Sequence, residues 1–144
     1  MRACPDALWS DTSRNPQFWY LVFHTLFWLD LYLSDSLGQF APPDPFTLDE
    51  LEDDGDFPAT AYTKEELQRY LDHGRRKCRM LVENLTEERA GQQCGFQWVE
   101  CTVAELLLYN MRHVQHGAAQ LNLILRQETD SAPNWVKRSV TKLM

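Results

Sequence analysis

The sequence lacks the short motifs that mark the commonest nucleotide-binding and hydrolytic sites. It contains no P-loop, no glycine-rich dinucleotide signature and no G-x-S-x-G nucleophile motif. Its four cysteines show no C-x-x-C spacing, the signature of many zinc and redox sites. Phosphate binding through a glycine-rich loop and nucleophilic catalysis by serine or cysteine therefore have no support in the sequence.

Basic residues are few compared with acidic ones. The chain has 14 lysines and arginines against 21 aspartates and glutamates, a net charge of -7 and a pI near 5.0. This balance predicts that neither nucleic acid nor an anionic membrane is a partner, because both attract basic surfaces. Much of the acidity lies in "DPFTLDELEDDGDF" (44–57), which is typical of a solvated loop.

Long apolar runs are also lacking. The most apolar segment, "FWYLVFHTLFWLDLYL" (18–33), is shorter than the ~20 residues of a membrane span and contains His24 and Asp30, so it predicts a buried helix. The beginning, "MRACPDALWSD", has no apolar core of a secretion signal. Together with the cysteine pattern, these features predict a cytoplasmic protein with reduced thiols.

What the sequence does contain is three long helical patterns. A length of 144 residues fits one domain, 1–144, with a sizeable core. Helices are predicted at about 15–33, 63–85 and 102–127, and a proline- and acid-rich connection, 35–62, separates the first two. No segment alternates with period two for long enough to form a strand, so the predicted class is all-α.

Residues that favour helix N-termini stand at the start of each pattern. Asn15 can cap the first helix, with Pro16 at its first position. The second helix begins with "TKEE", a capping box at Thr63, and the third with "TVAE", a capping box at Thr102. Shorter helical turns are expected at "TLDEL" (47–51) and "TEER" (86–89).

Two helices carry histidines that point to a shared interior. The first helix is apolar on nearly every side, so it has to be covered by its own bundle or by a second subunit, and His24 lies in its middle. On the last helix, at 100° per residue, His113 lies at the rim of the apolar side and His116 lies further round. A buried histidine is usually held by hydrogen bonds and does nothing further.

A pair of inward-facing imidazoles also predicts a metal site, because facing helices of a bundle build such sites. A catalytic zinc typically takes three protein ligands. The natural third position lies one turn after His113, and it is occupied by Gly117. His116, three residues after His113, is the substitute, although an ion shared by the two would sit nearer the surface.

Four segments together resemble the DinB-like superfamily of small bacterial helical proteins. They are "NPQFWYLVFHTLFWLDLYLS", "FAPPDPFTLDEL", "YTKEEL" and "RHVQHGAAQLNLILRQ". The resemblance implies a helix bundle that binds a divalent metal, often as a dimer. The implied triad matches His24 and His113, but its third histidine falls on Gly117. Zinc or nickel binding is therefore expected to be weak or absent, with His24, His113 and His116 as the candidate ligands.

The resemblance also implies a longer first helix than this sequence contains. Only "RACPDALW" is similar to the end of that helix, so most of it is expected to be missing. The apolar faces left open would be covered either by residues upstream or by another copy of the chain. Self-association is the favoured interpretation, which predicts a homodimer.

The resulting prediction is a DinB-like helical bundle with an incomplete histidine triad that serves as a small-molecule binding or interaction module. The alternative is a metal-dependent transferase resembling the thiol-dependent S-transferases of the family, with an ion on His24 and His113 that activates a thiol or water. The residue at position 117 favours the first. No catalytic residue is predicted.

Other polar and aromatic residues are interpreted as structural. Asp30 lies on the side of its helix away from His24. His73 and the run "RRKCR" (75–79) are expected on a solvated face, with Gly74 a minor weakness of the helix. The segment "FQW" (96–98) is expected to pack its loop onto the end of the bundle.

Overall fold

The fold consists of five α-helices and two 3-10 turns in the part of the chain that the computed structural model describes, residues 1–52, 58 and 60–137. The helices are α1 (Asp6–Trp9), α2 (Phe18–Tyr32), α3 (Lys64–Glu83), α4 (Glu87–Gly91) and α5 (Val103–Thr129). The 3-10 turns are Leu37–Gln39 and Asp49–Leu51. The described residues form isolated β-bridges but no strand, so the predicted all-α class is confirmed.

Two of the three predicted helix starts are confirmed. Thr63 and Thr102 both form capping boxes, in which the threonine side chain accepts from the backbone N–H three residues later and the glutamate there accepts in return. The predicted cap at Asn15 is wrong. α2 begins at Phe18, and its N-cap residue is Gln17, whose side chain accepts a hydrogen bond from Nε1 of Trp19 at 2.7 Å.

α2 lies at the centre of the bundle and α5 runs antiparallel to it. Late in α2, the carbonyl oxygen of Leu29 accepts from Nδ2 of Asn110 at 3.0 Å, whereas earlier in α2 Thr25 contacts Gly117 further along α5. This pairing brings the middle of α5, which contains His113, against the middle of α2.

α3 packs on another side of α2 and runs in the same direction. Phe23 contacts Tyr62, just before α3, with ring centroids 4.9 Å apart. Asp30, about two turns further along α2, pairs with Lys77 late in α3. The parallel direction follows from the long crossover between the helices.

The crossover 33–62 supplies much of the cover for α2. Phe40, Phe46 and Tyr62 are each less than a tenth exposed, and Phe46 stacks on Tyr70 of α3 with ring centroids 4.1 Å apart. The interpretation of 44–57 as a solvated loop is therefore wrong for its first part, because the aromatic residue anchors it in the core. Residues 53–57 lie outside the described part of the chain.

The apolar sides of α2 are thus buried largely within the single chain. Phe18, Phe23, Phe27 and Leu31 are completely inaccessible to solvent. A second subunit is not needed to cover this helix, so the apolar character of α2 does not argue for self-association. The homodimer stays a prediction. None of the helices that the described residues form is long and apolar enough to span a membrane.

A buried ion pair joins α2 to α3. Asp30 is inaccessible to solvent, and its Oδ1 lies 2.5 Å from Nζ of Lys77 and 3.3 Å from Nε2 of His73. Asp30 faces away from His24, as expected. The solvated-face interpretation is wrong for Lys77 and His73, because the buried carboxylate draws both side chains inward. Gly74 is likewise a packing residue, since its added Cβ would lie 3.1 Å from Cδ2 of Leu29.

The aromatic segment before α5 packs on the bundle end, as predicted. Phe96 is buried, and its ring meets the ring of Tyr32 edge to face at 5.3 Å. Trp98 is half exposed and donates from Nε1 to the hydroxyl of Tyr32 at 3.2 Å. The loop is thereby fixed to the C-terminal end of α2.

Candidate functional site

His24 of α2 and His113 of α5 face each other across the helix contact. Their ring centroids are 5.4 Å apart and the ring planes are inclined by 57°. Both residues lie near the middle of their helices, which the antiparallel packing brings together. The structure therefore brings together the two histidines that the sequence analysis singled out.

The carboxylate of Glu50 lies against the Nδ1 side of the His24 ring. Its Oε2 lies 2.8 Å from Nδ1 of His24 and accepts from Nε1 of Trp28 at 2.9 Å. The carboxylate is only 4% exposed, because the 3-10 turn Asp49–Leu51 carries it into the side of α2. A carboxylate on Nδ1 fixes the orientation of an imidazole and leaves Nε2 for a further partner.

Burial and hydrogen bonding shift the pKa values of three groups in the site. Burial alone would raise the pKa of Glu50, but hydrogen bonds from His24, Tyr20 and Trp28 together hold the pKa below its usual value. Burial and then the Glu50 carboxylate raise the pKa of Tyr20, which keeps its hydroxyl protonated. Burial and then the neighbouring His24 lower the pKa of His113, which favours a neutral ring.

A cleft of about 270 Å³ opens between α2 and α5 beside the two rings. It is lined by Tyr20, Leu21, His24, His113, His116, Gly117 and Gln120. His116 is exposed at its edge, as its helical angle predicts. The ring of His113 is half buried, and its hydrogen bonding to the backbone of His24 and Thr25 partly offsets the lowering of its pKa. The cleft is therefore lined by the imidazoles of His24 and His113.

Gly117 lies at a close contact between α2 and α5. A Cβ added to it would overlap Oγ1 of Thr25 and would lie 2.9 Å from Cγ2 and 3.1 Å from Cβ of the same residue. Thr25 cannot easily turn away, because it is buried and its Oγ1 donates to the carbonyl oxygen of Leu21 at 2.7 Å. Glycine permits the contact, and a side chain at 117 would force Thr25 or one of the two helices to shift.

The sequence model of the DinB superfamily matches residues 1–121. The chain belongs to the DinB superfamily. The match includes every described residue that lines the cleft, the whole of α2, and α5 as far as residue 121. No curated protein and no solved structure matches the chain.

In this DinB-family chain, the described residues do not form a group of three metal ligands: no three histidine, cysteine, aspartate or glutamate side chains among them are placed to hold a metal ion. His24 and His113 are close enough to share an ion, since a zinc–nitrogen bond is about 2.0–2.1 Å long. The third position is not merely vacant, because Thr25 occupies the space that a side chain at Gly117 would need.

Sequence reasoning missed two residues of the site. Glu50 stands in an acidic run, and nothing in its spacing distinguishes it from Asp49 or Glu52. Thr25 follows a histidine in an apolar helix, and only the register between α2 and α5 brings it onto Gly117. Both positions depend on tertiary packing, which a single sequence does not specify.

Proposed function

We propose that this DinB-family chain is a small-molecule binding module whose metal centre is incomplete. The cleft between α2 and α5 is the binding site, and His24 and His113 are its polar contacts. The observation that carries the proposal is the pair of imidazoles 5.4 Å apart beside the cleft, one of them held in place by the buried Glu50.

The chemistry of the cleft favours a small polar ligand. Binding pockets combine apolar walls with a few well-placed polar groups that fix the ligand. Here Leu21 and Tyr20 supply apolar surface, and the two histidines supply hydrogen-bonding nitrogens. A polar group of the ligand would hydrogen-bond to the imidazole of His24, whose side chain is 39% exposed.

The alternative, a metal-dependent transferase resembling the thiol-dependent S-transferases, has less support. Such chemistry needs an ion held by three protein ligands with one position open. Thr25 blocks the third ligand position, and His116 lies exposed at the edge of the cleft. The arrangement of Glu50 behind His24 is one that metal-binding imidazoles also have, so metal binding has to be measured directly.

Two measurements test the proposal. Ligand-observed NMR with a library of polar fragments should find compounds that bind the parent and the Gln127→Leu control but not His113→Leu. Gln127 is an exposed residue of the same helix, outside the cleft. An absence of bound fragments, or hits that bind His113→Leu equally well, would contradict the proposed site.

Metal analysis decides between the two candidates. The purified protein, and the protein dialysed against zinc or nickel and then against buffer, should retain far less than one ion per chain. Stoichiometric metal in either sample, lost on His24→Ala or His113→Ala substitution, would replace the binding-module proposal by the metal-dependent one.

A further inference from the structure

Cys94 and Cys101 lie opposite each other in the loop before α5. The backbone N–H of Cys94 donates to the carbonyl oxygen of Cys101 at 3.0 Å, and the adjacent residues Gln93 and Thr102 form an antiparallel bridge. Their sulfur atoms are 4.0 Å apart. The two cysteines thus stand in the register of directly opposite residues in an antiparallel pair, although the segment is too short to count as a strand.

We propose that Cys94 and Cys101 form a reversible modification site, at which a low-molecular-weight disulfide oxidises the two thiols to an intramolecular disulfide. Directly opposite residues of an antiparallel pair have Cα atoms about 5.5 Å apart, which lies within the range that disulfides bridge. The sulfur atoms need to approach from 4.0 Å to a bond length of about 2.05 Å, which side-chain rotation can supply.

The reaction balances without a metal or a cofactor. The thiolate of one cysteine attacks a sulfur of the low-molecular-weight disulfide, which forms a mixed disulfide and releases one low-molecular-weight thiol. The second cysteine then loses its proton and attacks the protein sulfur of the mixed disulfide, which releases a second thiol. The two protein sulfurs are oxidised, the small disulfide is reduced to two thiols, and the two protons go to the thiols released.

The other two cysteines lack such a partner. Cys4 is buried at 2% exposure, and Cys78 lies on α3, and neither has a second sulfur in hydrogen-bonding contact among the described residues. Cys94 and Cys101 are both partly exposed, so a small oxidant can reach them. Burial and then the proximity of Cys94 raise the pKa of Cys101, so its thiolate fraction, and with it the rate of exchange, should rise as the solution becomes more alkaline.

The modification would act on a defined part of the fold. Cys94 lines a cavity of about 190 Å³ between α3 and α5, whose apolar walls include Leu81, Leu85 and Leu106. Cys101 directly precedes Thr102, the N-cap of α5. A disulfide would therefore tie the wall of this cavity to the start of the helix that carries His113. The inference does not depend on the proposed ligand cleft, which lies elsewhere on α5.

Peptide mapping of the native protein tests the inference without any substitution. The folded protein is incubated with oxidised glutathione, its remaining thiols are alkylated, and it is digested with trypsin. Cleavage after Arg89 and Arg112 leaves both cysteines on one peptide, 90–112, which contains neither Cys4 nor Cys78. We expect this peptide to lose two hydrogen atoms and to escape alkylation, so that two of the four thiols disappear.

A single variant tests the two-step chemistry. In Cys101→Ser the resolving thiol is absent, so Cys94 should accumulate as a mixed disulfide with glutathione, whereas the control Cys78→Ser should still form the internal disulfide. Full alkylation of both cysteines in the parent would overturn the inference. Stable glutathione adducts or intermolecular disulfides in place of the internal bond would overturn it as well.

Discussion

Thr25 of α2 packs directly against Gly117 of α5. The side chain of Thr25 occupies the space that a side chain at position 117 would need. Cγ2 and Cβ of Thr25 lie 2.9 Å and 3.1 Å from the position of a Cβ on residue 117. The glycine that stands where the resemblance implies a third histidine is therefore a packing residue in the structure. This relationship leads to two of the predictions below.

Gly117→Ala should destabilise the protein, although the substitution is favourable in an isolated helix. Alanine is better than glycine in a helix interior by about 1 kcal/mol. The overlap with Thr25 should outweigh this gain, because overpacking a closed contact costs about 1–3 kcal/mol. Urea denaturation measures the change, and Thr25→Ala in the same background should recover much of the loss. Equal or higher stability of Gly117→Ala in the parent background would contradict the packing argument.

A third imidazole should require two substitutions. Gly117→His alone should not gain metal affinity, because its Cβ meets Thr25 before the ring can reach His113 and His24. The double variant Thr25→Gly, Gly117→His clears the contact and places an imidazole one turn from His113. Zinc titration, measured by isothermal titration calorimetry, should therefore detect tight binding in the double variant only. A folded Gly117→His variant that binds one zinc per chain would disprove the steric explanation.

Glu50→Gln should weaken the attachment of the crossover to α2. The carboxylate accepts from Trp28 and from His24, and hydrogen bonds to a charged group contribute about 1.5–3 kcal/mol each in proteins generally. We expect a loss of about 2 kcal/mol in the free energy of unfolding, measured with urea. Asp49→Asn is the matched control, because Asp49 is partly exposed and its hydrogen bond to Thr47 is local. Similar losses in both variants would show that Glu50 has no special role.

Stability should fall as the pH drops below the usual pKa of histidine, and His113 should contribute to the fall. Its folded pKa lies below the unfolded value of 6.5, so just below that pH the unfolded chain binds more protons than the folded one. The contribution is fully present above pH 6.5 and is lost as the pH decreases towards the folded pKa.

Denaturation at a series of pH values, with a chelator present, measures this slope. His113→Gln should flatten it between pH 6.5 and the folded pKa, while the control Gln127→Leu, which changes no titratable group, should keep the slope of the parent. An unchanged slope in His113→Gln would mean that the burial of this ring is not coupled to folding.

Lys77→Met should be strongly destabilising, although Lys77 belongs to a basic run that the sequence places on a solvated face. The substitution leaves Asp30 buried without its cation, and breaking a buried ion pair in this way costs about 3–5 kcal/mol. The double variant Asp30→Leu, Lys77→Met should recover most of the loss, because it removes both charges. Arg76→Met, an exposed neighbour, serves as the control in thermal denaturation. Equal effects of Lys77→Met and Arg76→Met would contradict the buried pair.

The three long helices and the facing positions of the two histidines could be predicted from the sequence. Helix caps and helical periodicity are local features of a sequence. The capping boxes at Thr63 and Thr102 place two helix starts to the residue, and the helical period turns His113 inward. The start of α2 was not predictable from a cap, since Gln17 provides none by its side chain.

The remaining parts of the site come from long-range packing, which single-sequence patterns do not contain. In the sequence, Lys77 is one of several charges in a basic run. Its side chain turns towards the core because it pairs with the buried Asp30 of another helix. Glu50 reads as one acid among several, and only the anchoring of Phe46 in the core brings the turn against His24. In each case the decisive partner lies more than 20 positions away in sequence.

The contact between Thr25 and Gly117 also restricts how this protein could change over evolutionary time. A lineage that first acquired histidine at 117 would pass through an overpacked intermediate, and one that first lost Thr25 would pass through a bundle with a hole between its central helices. Either order crosses a less stable form before any new ligand is in place. The present pair of residues therefore makes a third imidazole at position 117 hard to reach by single substitutions.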